Sequence, residues 1–357
     1  MTALDQLAAG ILARHREAGT AEAESARRLV EDRLTALGYR VSRQQFRFHL
    51  SSLLGFPVLG AGVGAAALFA LPLLTLPGVA NWGALLVWSL ILTASACLGA
   101  GLAAGWLTLG EAREDANLIA VRGDAPPRRW IVAHLDTKAQ AQSMAGRLVA
   151  VWVLLAALAG SVGLAGARLT APLPLGLAAA GAVLAVVAGA LAGRGRLRGT
   201  SPGARDNGSG VVAALAFAEA SSDSTTGILI TGAEEFGMVG ARVFAQTGGV
   251  VRGVEVVNVD TIDGEGPIFV VRHDSAGKTL AEQVARDLAS VGPPVSRRRL
   301  PVGILVDSLP LARAGARAVT VGRLTWRTLR VIHTPADVPE TLSLEVAKAV
   351  GRALAAN

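Results

Sequence analysis

Two stretches of the chain carry almost no charge, and they restrict its fold more than any other feature. No Asp, Glu, Lys or Arg falls between Ser51 and Gly110, and between Leu148 and Gly193 the only one is Arg168. A helix needs about 20 apolar residues to cross the hydrocarbon of a bilayer, so each stretch has room for two. The spacing predicts helices over Leu53–Leu76 and Val79–Leu107, parted by Pro77-Gly78, and over Leu148–Ala165 and Leu173–Ala192, parted between Arg168 and Pro174. Both stretches, 51–110 and 147–194, read as transmembrane helical hairpins. Gly60/Gly64 and Gly101/Gly105 give small-residue faces of the kind that lets helix backbones approach in lipid. A buried helix of a large soluble protein can also lack charge, but four such runs in two pairs argue against it.

The rest of the chain, 1–50, 111–146 and 195–357, has ordinary polarity and reads as one discontinuous domain. Ala21–Leu37 has helical spacing and ends at Gly38, a C-terminal cap. Strands are expected at Tyr39–Phe48, Asn117–Arg122, Trp130–His134, Gly227–Thr231, Val254–Val259, Ile268–Arg272 and Ala318–Val321. Further helices are expected at Val211–Ala220 and from an N-cap at Ser343 to the C-terminus. Alternating strands and helices imply an α/β fold, a mostly parallel mixed sheet flanked by helices. The net charge of +7 is carried almost wholly by Arg, with Lys only at 138, 278 and 348. These arginines are scattered or sit beside the apolar runs, which fits a lipid surface rather than the basic stripe of a nucleic-acid binder. The single cysteine, Cys97, excludes a disulfide framework and Cys-based zinc sites, and is expected to pack as a small hydrophobe. The first 50 residues are polar and amphipathic, unlike a signal peptide.

Five short segments carry chemistry: Ala133-His134-Leu135-Asp136, Arg205-Asp206-Asn207-Gly208-Ser209-Gly210, Gly232-Ala233-Glu234-Glu235-Phe236-Gly237, Val257-Asn258-Val259-Asp260 and Val331-Ile332-His333-Thr334-Pro335. Three of them follow apolar strands, and the C-terminal ends of parallel strands form the ligand crevice of such sheets. His and carboxylates suit zinc. Two Zn²⁺ bring four positive charges. Asp206, Glu235 and Asp260 offset three and a hydroxide the fourth, so a partly buried cluster would be near neutral. His134 and His333 would add one neutral nitrogen to each ion, and Asp136 stands where a carboxylate could orient His134. Of Glu234 and Glu235, one can ligate while the other takes a proton from water. Singly, each segment is weak evidence: a strand-end Asp or a buried His is more often structural, and Glu-Glu is more often a solvated pair. His15, His49 and His273 have no motif around them and read as structural.

The order of the five segments resembles metallopeptidase family 28, the aminopeptidase Y type of di-zinc exopeptidase. The likeness extends to Ala26-Arg27-Arg28-Leu29, Leu37-Gly38-Tyr39-Arg40-Val41 and Asn117-Leu118-Ile119-Ala120. The resemblance implies His134 and Asp260 on one zinc, Glu235 and His333 on the other, and Asp206 bridging the two. It implies Glu234 as general base, Asp136 behind the first histidine, and a cis peptide at Asp206-Asn207. Asp307-Ser308-Leu309-Pro310 resembles a substrate-pocket segment but lacks the histidine often found there. The expected activity is N-terminal trimming of peptides. Two other readings stay open: a single-zinc amide hydrolase or glutaminyl cyclase-like enzyme, and a non-catalytic membrane scaffold.

The hairpins depart from the soluble members of that family. His134 and Asp206 are 72 positions apart, and removing the 46 residues of Leu148–Gly193 leaves 26, the length of an ordinary connection. The inserts begin and end about a dozen positions from these two residues, so the site is expected near the membrane surface, with a membrane-proximal peptide as one fitting substrate and simple tethering as the other reading. Arg43, Arg47, Arg113, Arg147, Arg194, Arg196 and Arg198 flank the helices on the side of the polar domain, and only Arg168 lies at a far turn. The positive-inside rule then places the domain in the cytoplasm.

Overall fold

The computed structural model describes residues 2–75, 82–168, 170–171, 173–247 and 252–356. The expected turn at Pro77-Gly78 lies outside them. The chain divides into two compact units: 1–48, 112–139 and 199–357 form one, and 49–111 and 140–198 the other.

The first unit is built on one eight-stranded sheet. Its strands are β1 (Arg40–His49), β2 (Ala112–Val121), β3 (Arg129–His134), β4 (Thr226–Thr231), β5 (Glu255–Ile262), β6 (Ile268–Arg272), β7 (Val295–Arg299) and β8 (Arg317–Arg323), in the order β1-β2-β4-β3-β5-β8-β6-β7. The centre, β4-β3-β5-β8, is parallel, while β2 meets β4 and β6 meets β8 antiparallel. The central strands are buried on both faces, as their continuous apolar sequences require. The helix Ala21–Ala36 shows how local sequence sets an element. Thr20 caps its first turn by accepting from the Ala23 amide, and Glu22 and Glu24 meet the positive end of the dipole. Ala23, Ala26, Val30 and Leu34 form the buried stripe. Gly38, at φ +83°, ends it, with Tyr39 N donating to Leu34 O at 3.0 Å. The buried helix Gly210–Ala220 packs in the same core with the C-terminal helix Glu345–Ala355. That last helix is capped at Leu344, which supplies no side-chain acceptor, and not at Ser343. Strand β7 was not expected, because Val-Ser-Arg-Arg-Arg lacks apolar alternation; as an edge strand it needs little.

The second unit contains four long helices, Gly55–Thr75, Trp82–Ala103, Met144–Arg168 and Leu175–Ala192. All four are long and apolar enough to cross a membrane, and only 22–28% of each apolar window is buried. Leu68, Leu86, Leu90, Trp152, Val162 and Val183 point outward. Close approach relies on glycine. A Cβ on Gly60 would lie 2.4 Å from Ala192 Cβ, and one on Gly99 would lie 2.7 Å from Gly55 O. The expected Gly101/Gly105 face does not pack helices: Gly105 turns the chain at φ +71°, and Gly101 faces the side chain of Leu107. Cys97 is exposed on its helix rather than packed. The base of the second pair is drawn together by Ala141 N donating to Arg196 O at 2.9 Å, beside a bridge between Gln140 and Leu197.

Candidate metal centre

Six side chains from five segments meet at the C-terminal end of the parallel strands, where such sheets bind ligands. His134 is the last residue of β3. Glu234 and Glu235 follow β4 in a turn that Ala233 enters at φ +51°. Asp260 sits where the pairing of β5 with β8 slips, between Val259 and Ile262. Asp206 lies in the turn that opens the helix Gly210–Ala220, and its bond to Asn207 is cis. His333, at φ +64°, follows the short helix Trp326–Val331. His134 Nε2 stands 3.2 Å from Asp206 Oδ1 and 3.9 Å from Asp260 Oδ1. His333 Nε2 stands 3.1 Å from Asp206 Oδ2 and 3.2 Å from Glu235 Oε1. The two oxygens of Asp206 thus face different histidines, and two triads, His134/Asp206/Asp260 and Asp206/Glu235/His333, share one carboxylate. Glu235 Oε1, the oxygen that faces His333, is buried and makes no hydrogen bond of good geometry. Two histidines and three carboxylates around two points, with this oxygen unsatisfied, fit divalent cations that prefer nitrogen and oxygen.

A second layer of contacts fixes these groups. His134 Nδ1 lies 3.0 Å from the Asp136 backbone carbonyl and 3.7 Å from its carboxylate. The Asp136 carboxylate is used elsewhere: its two oxygens accept the amides of Glu234 and Glu235, each at 3.0 Å. Asp136 therefore anchors the glutamate turn as well as standing behind His134. Asn207 joins two ligand segments, donating to Val259 O at 2.9 Å and accepting from Thr261 N at 3.2 Å on either side of Asp260. Asp337 accepts the amides of Arg205 and Asp206 at 3.0 and 3.1 Å. Arg16 is fully buried, and its guanidinium donates to the carbonyls of Leu135, Pro202 and Gly203 at 2.9, 2.7 and 2.8 Å. Thr137 N donates to Arg16 O at 3.0 Å. The N-terminal segment thus clamps the chain beside His134 to the chain before Asp206. Lys138 reaches Glu235 Oε2 at 2.6 Å, leaving Oε1 to face His333.

Electrostatics follow from this packing. Burial raises the Glu234 carboxyl well above its usual range, opposed by the charge on His134 and aided by Glu235, Asp307 and Asp260. Burial would also raise Glu235, but His333 and Lys138 outweigh it and hold it at about 2. Burial works against charge on His134, yet contacts with Asp136, Asp206 and Asp260 lift it well above the ordinary histidine value. His333 rises likewise, burial being outweighed by Glu235 and Asp206. Asp307, fully buried, accepts a short hydrogen bond from Thr231 Oγ1, and burial pushes it up to about 7.

All seven side chains expected from the sequence (His134, Asp136, Asp206, Glu234, Glu235, Asp260 and His333) are buried or nearly so in this one region. Arg16, Lys138 and Asp337 were not singled out. Lys138 carried a signal, as one of three lysines in an arginine-rich chain and four positions after His134. Arg16 carried none, because its partners are carbonyls far along the chain.

The model of peptidase family M28 matches residues 192–357, which contain Asp206, Glu234, Glu235, Asp260 and His333 but neither His134 nor Asp136. Comparison with curated proteins gave no match. Among solved structures, a glutaminyl cyclase from Fimbriiglobus ruber is 15% identical with a TM-score of 0.57, over 98% of this chain and 93% of that one. An aminopeptidase from Aneurinibacillus sp. is 15% identical with a TM-score of 0.56, over 98% and 92%. A Zn-dependent exopeptidase from Parabacteroides distasonis is 13% identical with a TM-score of 0.56, over 98% and 96%. At these identities the likeness is one of fold.

Proposed function

We propose, from the match of residues 192–357 to the model of peptidase family M28 and from the geometry of the site, that the chain is a membrane-anchored di-zinc metallopeptidase that trims peptides from the N-terminus. The observation that carries the reading is the shared carboxylate: Asp206 presents one oxygen to His134 and the other to His333. That arrangement suits two ions held side by side. His134 and Asp260 would hold one cation, Glu235 and His333 the second, and Asp206 both. Bound there, two zinc ions or similar divalent metals supply Lewis acidity, easing ionisation of the attacking water and polarising the scissile carbonyl. Glu234 takes the water proton and passes it to the leaving amine. Its burial suits that task, since a carboxylate with a raised pKa accepts a proton more readily near neutral pH. Asp136 holds the turn so that Glu234 and Glu235 serve one site. Lys138 keeps Glu235 in a single-oxygen pose toward His333.

The four apolar helices serve as anchor, and the arginines flanking them favour a cytoplasmic domain that takes a membrane-proximal peptide. A glutaminyl cyclase-like reaction is the second reading, supported by the fold likeness to such enzymes and by the proton that Asp307 keeps up to a pH of about 7. The test uses full-length protein in detergent, loaded with zinc and offered aminoacyl anilides and an N-terminal glutaminyl peptide. Release of N-terminal residues, lost by at least about a hundredfold in Glu234→Gln with both metals retained, is the expected result. Near-normal turnover in that variant, or cyclisation without hydrolysis, would contradict it.

A further inference from the structure

The far edge of the sheet carries a concentration of positive charge that the metal centre does not use. Between β7 and the helix Lys278–Asp287 lies a concavity of about 530 Å³ lined by Arg272, Lys278, Arg297, Arg298 and Arg299. Among the described residues lining it, Glu282 is the only carboxylate, 3.3 Å from Arg297. Asp274 stands nearby, but its Oδ1 accepts the Gly277 amide at 3.2 Å. The register of β6 with β7 sets Arg272 opposite Arg299. Like charges placed directly across a sheet repel. The helix adds to the field. Its first turn contains Lys278 and no acid, and its cap, Gly277, offers no side-chain acceptor, while the Lys278 amide is given to Ser275 O at 3.1 Å. Acidic residues are the usual occupants of that position, because the helix end is itself positive. Charged residues do protect edge strands from pairing with other chains, yet protection does not call for arginines from two strands and a lysine from a helix to line one hollow. Neighbours on a strand face opposite ways, so Arg298 turns from the side that Arg297 and Arg299 share. The remaining four cations, against one carboxylate, are satisfied by a compact anion of high charge, and arginine forks match phosphate oxygens in pairs.

We propose that the groove between β7 and the helix Lys278–Asp287 binds a phosphate-bearing anion, held by Lys278, Arg297 and Arg299. The source of the phosphate is either a lipid headgroup or a soluble phosphate compound.

Both sources are tested on zinc-loaded, full-length protein in a zwitterionic detergent. One arm titrates inorganic pyrophosphate, with metal content measured before and after; the other titrates dioctanoyl phosphatidylglycerol against dioctanoyl phosphatidylcholine. The same titrations use Arg297→Gln/Arg299→Gln and a charge-matched control, Arg28→Gln/Arg327→Gln, with Lys278→Gln in reserve should the groove variant not fold. The expected result is saturable binding that weakens at least tenfold in the groove variant, less than twofold in the control, and falls as salt rises. Pyrophosphate binding alone identifies a soluble ligand, and preference for phosphatidylglycerol identifies a headgroup. The proposal is overturned if neither probe binds, if the groove and control variants weaken equally, or if a glutamate-rich peptide binds in preference to both probes.

Discussion

At the scale of single residues, the site depends on groups that do not themselves face a metal position. Asp136 accepts the amides of both glutamates, whereas an asparagine offers only one oxygen. Asp136→Asn should therefore lower kcat at least tenfold and weaken the ion held by Glu235 and His333, while the His134 ion keeps its affinity within a few-fold. Sequential metal titration separates this from the alternative, in which loss at His134 would show that orienting the histidine is the main role. The titrating groups give a second prediction. Without metal, His134, His333, Glu234 and Asp307 all hold protons more tightly than in an unfolded chain. Their pKa values are raised on folding, so their contribution is present at low pH and is lost as the pH rises through about 7, the value of Asp307, and beyond. Chelator-treated protein should unfold more easily at pH 8 than at pH 6. Loading must displace the protons on His134 and His333, so zinc uptake should release protons and tighten with pH. Calorimetry in buffers of different protonation enthalpy measures this, and uptake without proton release would contradict it.

At the scale of elements, the connections matter as much as the strands. Arg16 ties the residue after His134 to the turn before Asp206 through three carbonyls. Arg16→Leu would leave these carbonyls buried without a donor, at about 1–3 kcal/mol each. A loss of roughly 3 kcal/mol or more in stability is expected, read from denaturant unfolding of the detergent-solubilised protein. A loss below about 1 kcal/mol would show that water replaces the clamp. The glycine contacts are tested by a paired comparison. Gly60→Ala should lower the melting temperature, because its Cβ meets Ala192, whereas Gly64→Ala should leave it unchanged, because nothing lies within 4 Å. Equal effects would contradict the packing described. Most elements were legible from the sequence because period and length are local signals: the four apolar helices, the helix Ala21–Ala36 and seven strands follow from them. Strand β7, the Lys278–Asp287 helix and the short helices Ser308–Arg313 and Trp326–Val331 were not legible. Their residues are short or polar, and neighbours decide their form. The candidate ligands could be picked out as a set because strand ends converge by topology, and the structure brings them together. Their supports, Arg16, Lys138 and Asp337, depend on distant backbone atoms that no local pattern reveals.

At the scale of the whole molecule, the inserts and the catalytic fold make separate demands. The first insert joins β1 to β2, which are neighbours in the sheet, and the second lies between two ligand residues. A reporter fused after Asn357 should be active only on the cytoplasmic side, and activity confined to the exterior would reverse the orientation. Counting metal per chain distinguishes the proposed two-metal centre from a one-ion site. Elemental analysis of full-length protein loaded with zinc should give two ions for the wild type, one for His134→Ala or His333→Ala, and none for Asp206→Ala. One ion in the wild type, unchanged by His134→Ala, would contradict it.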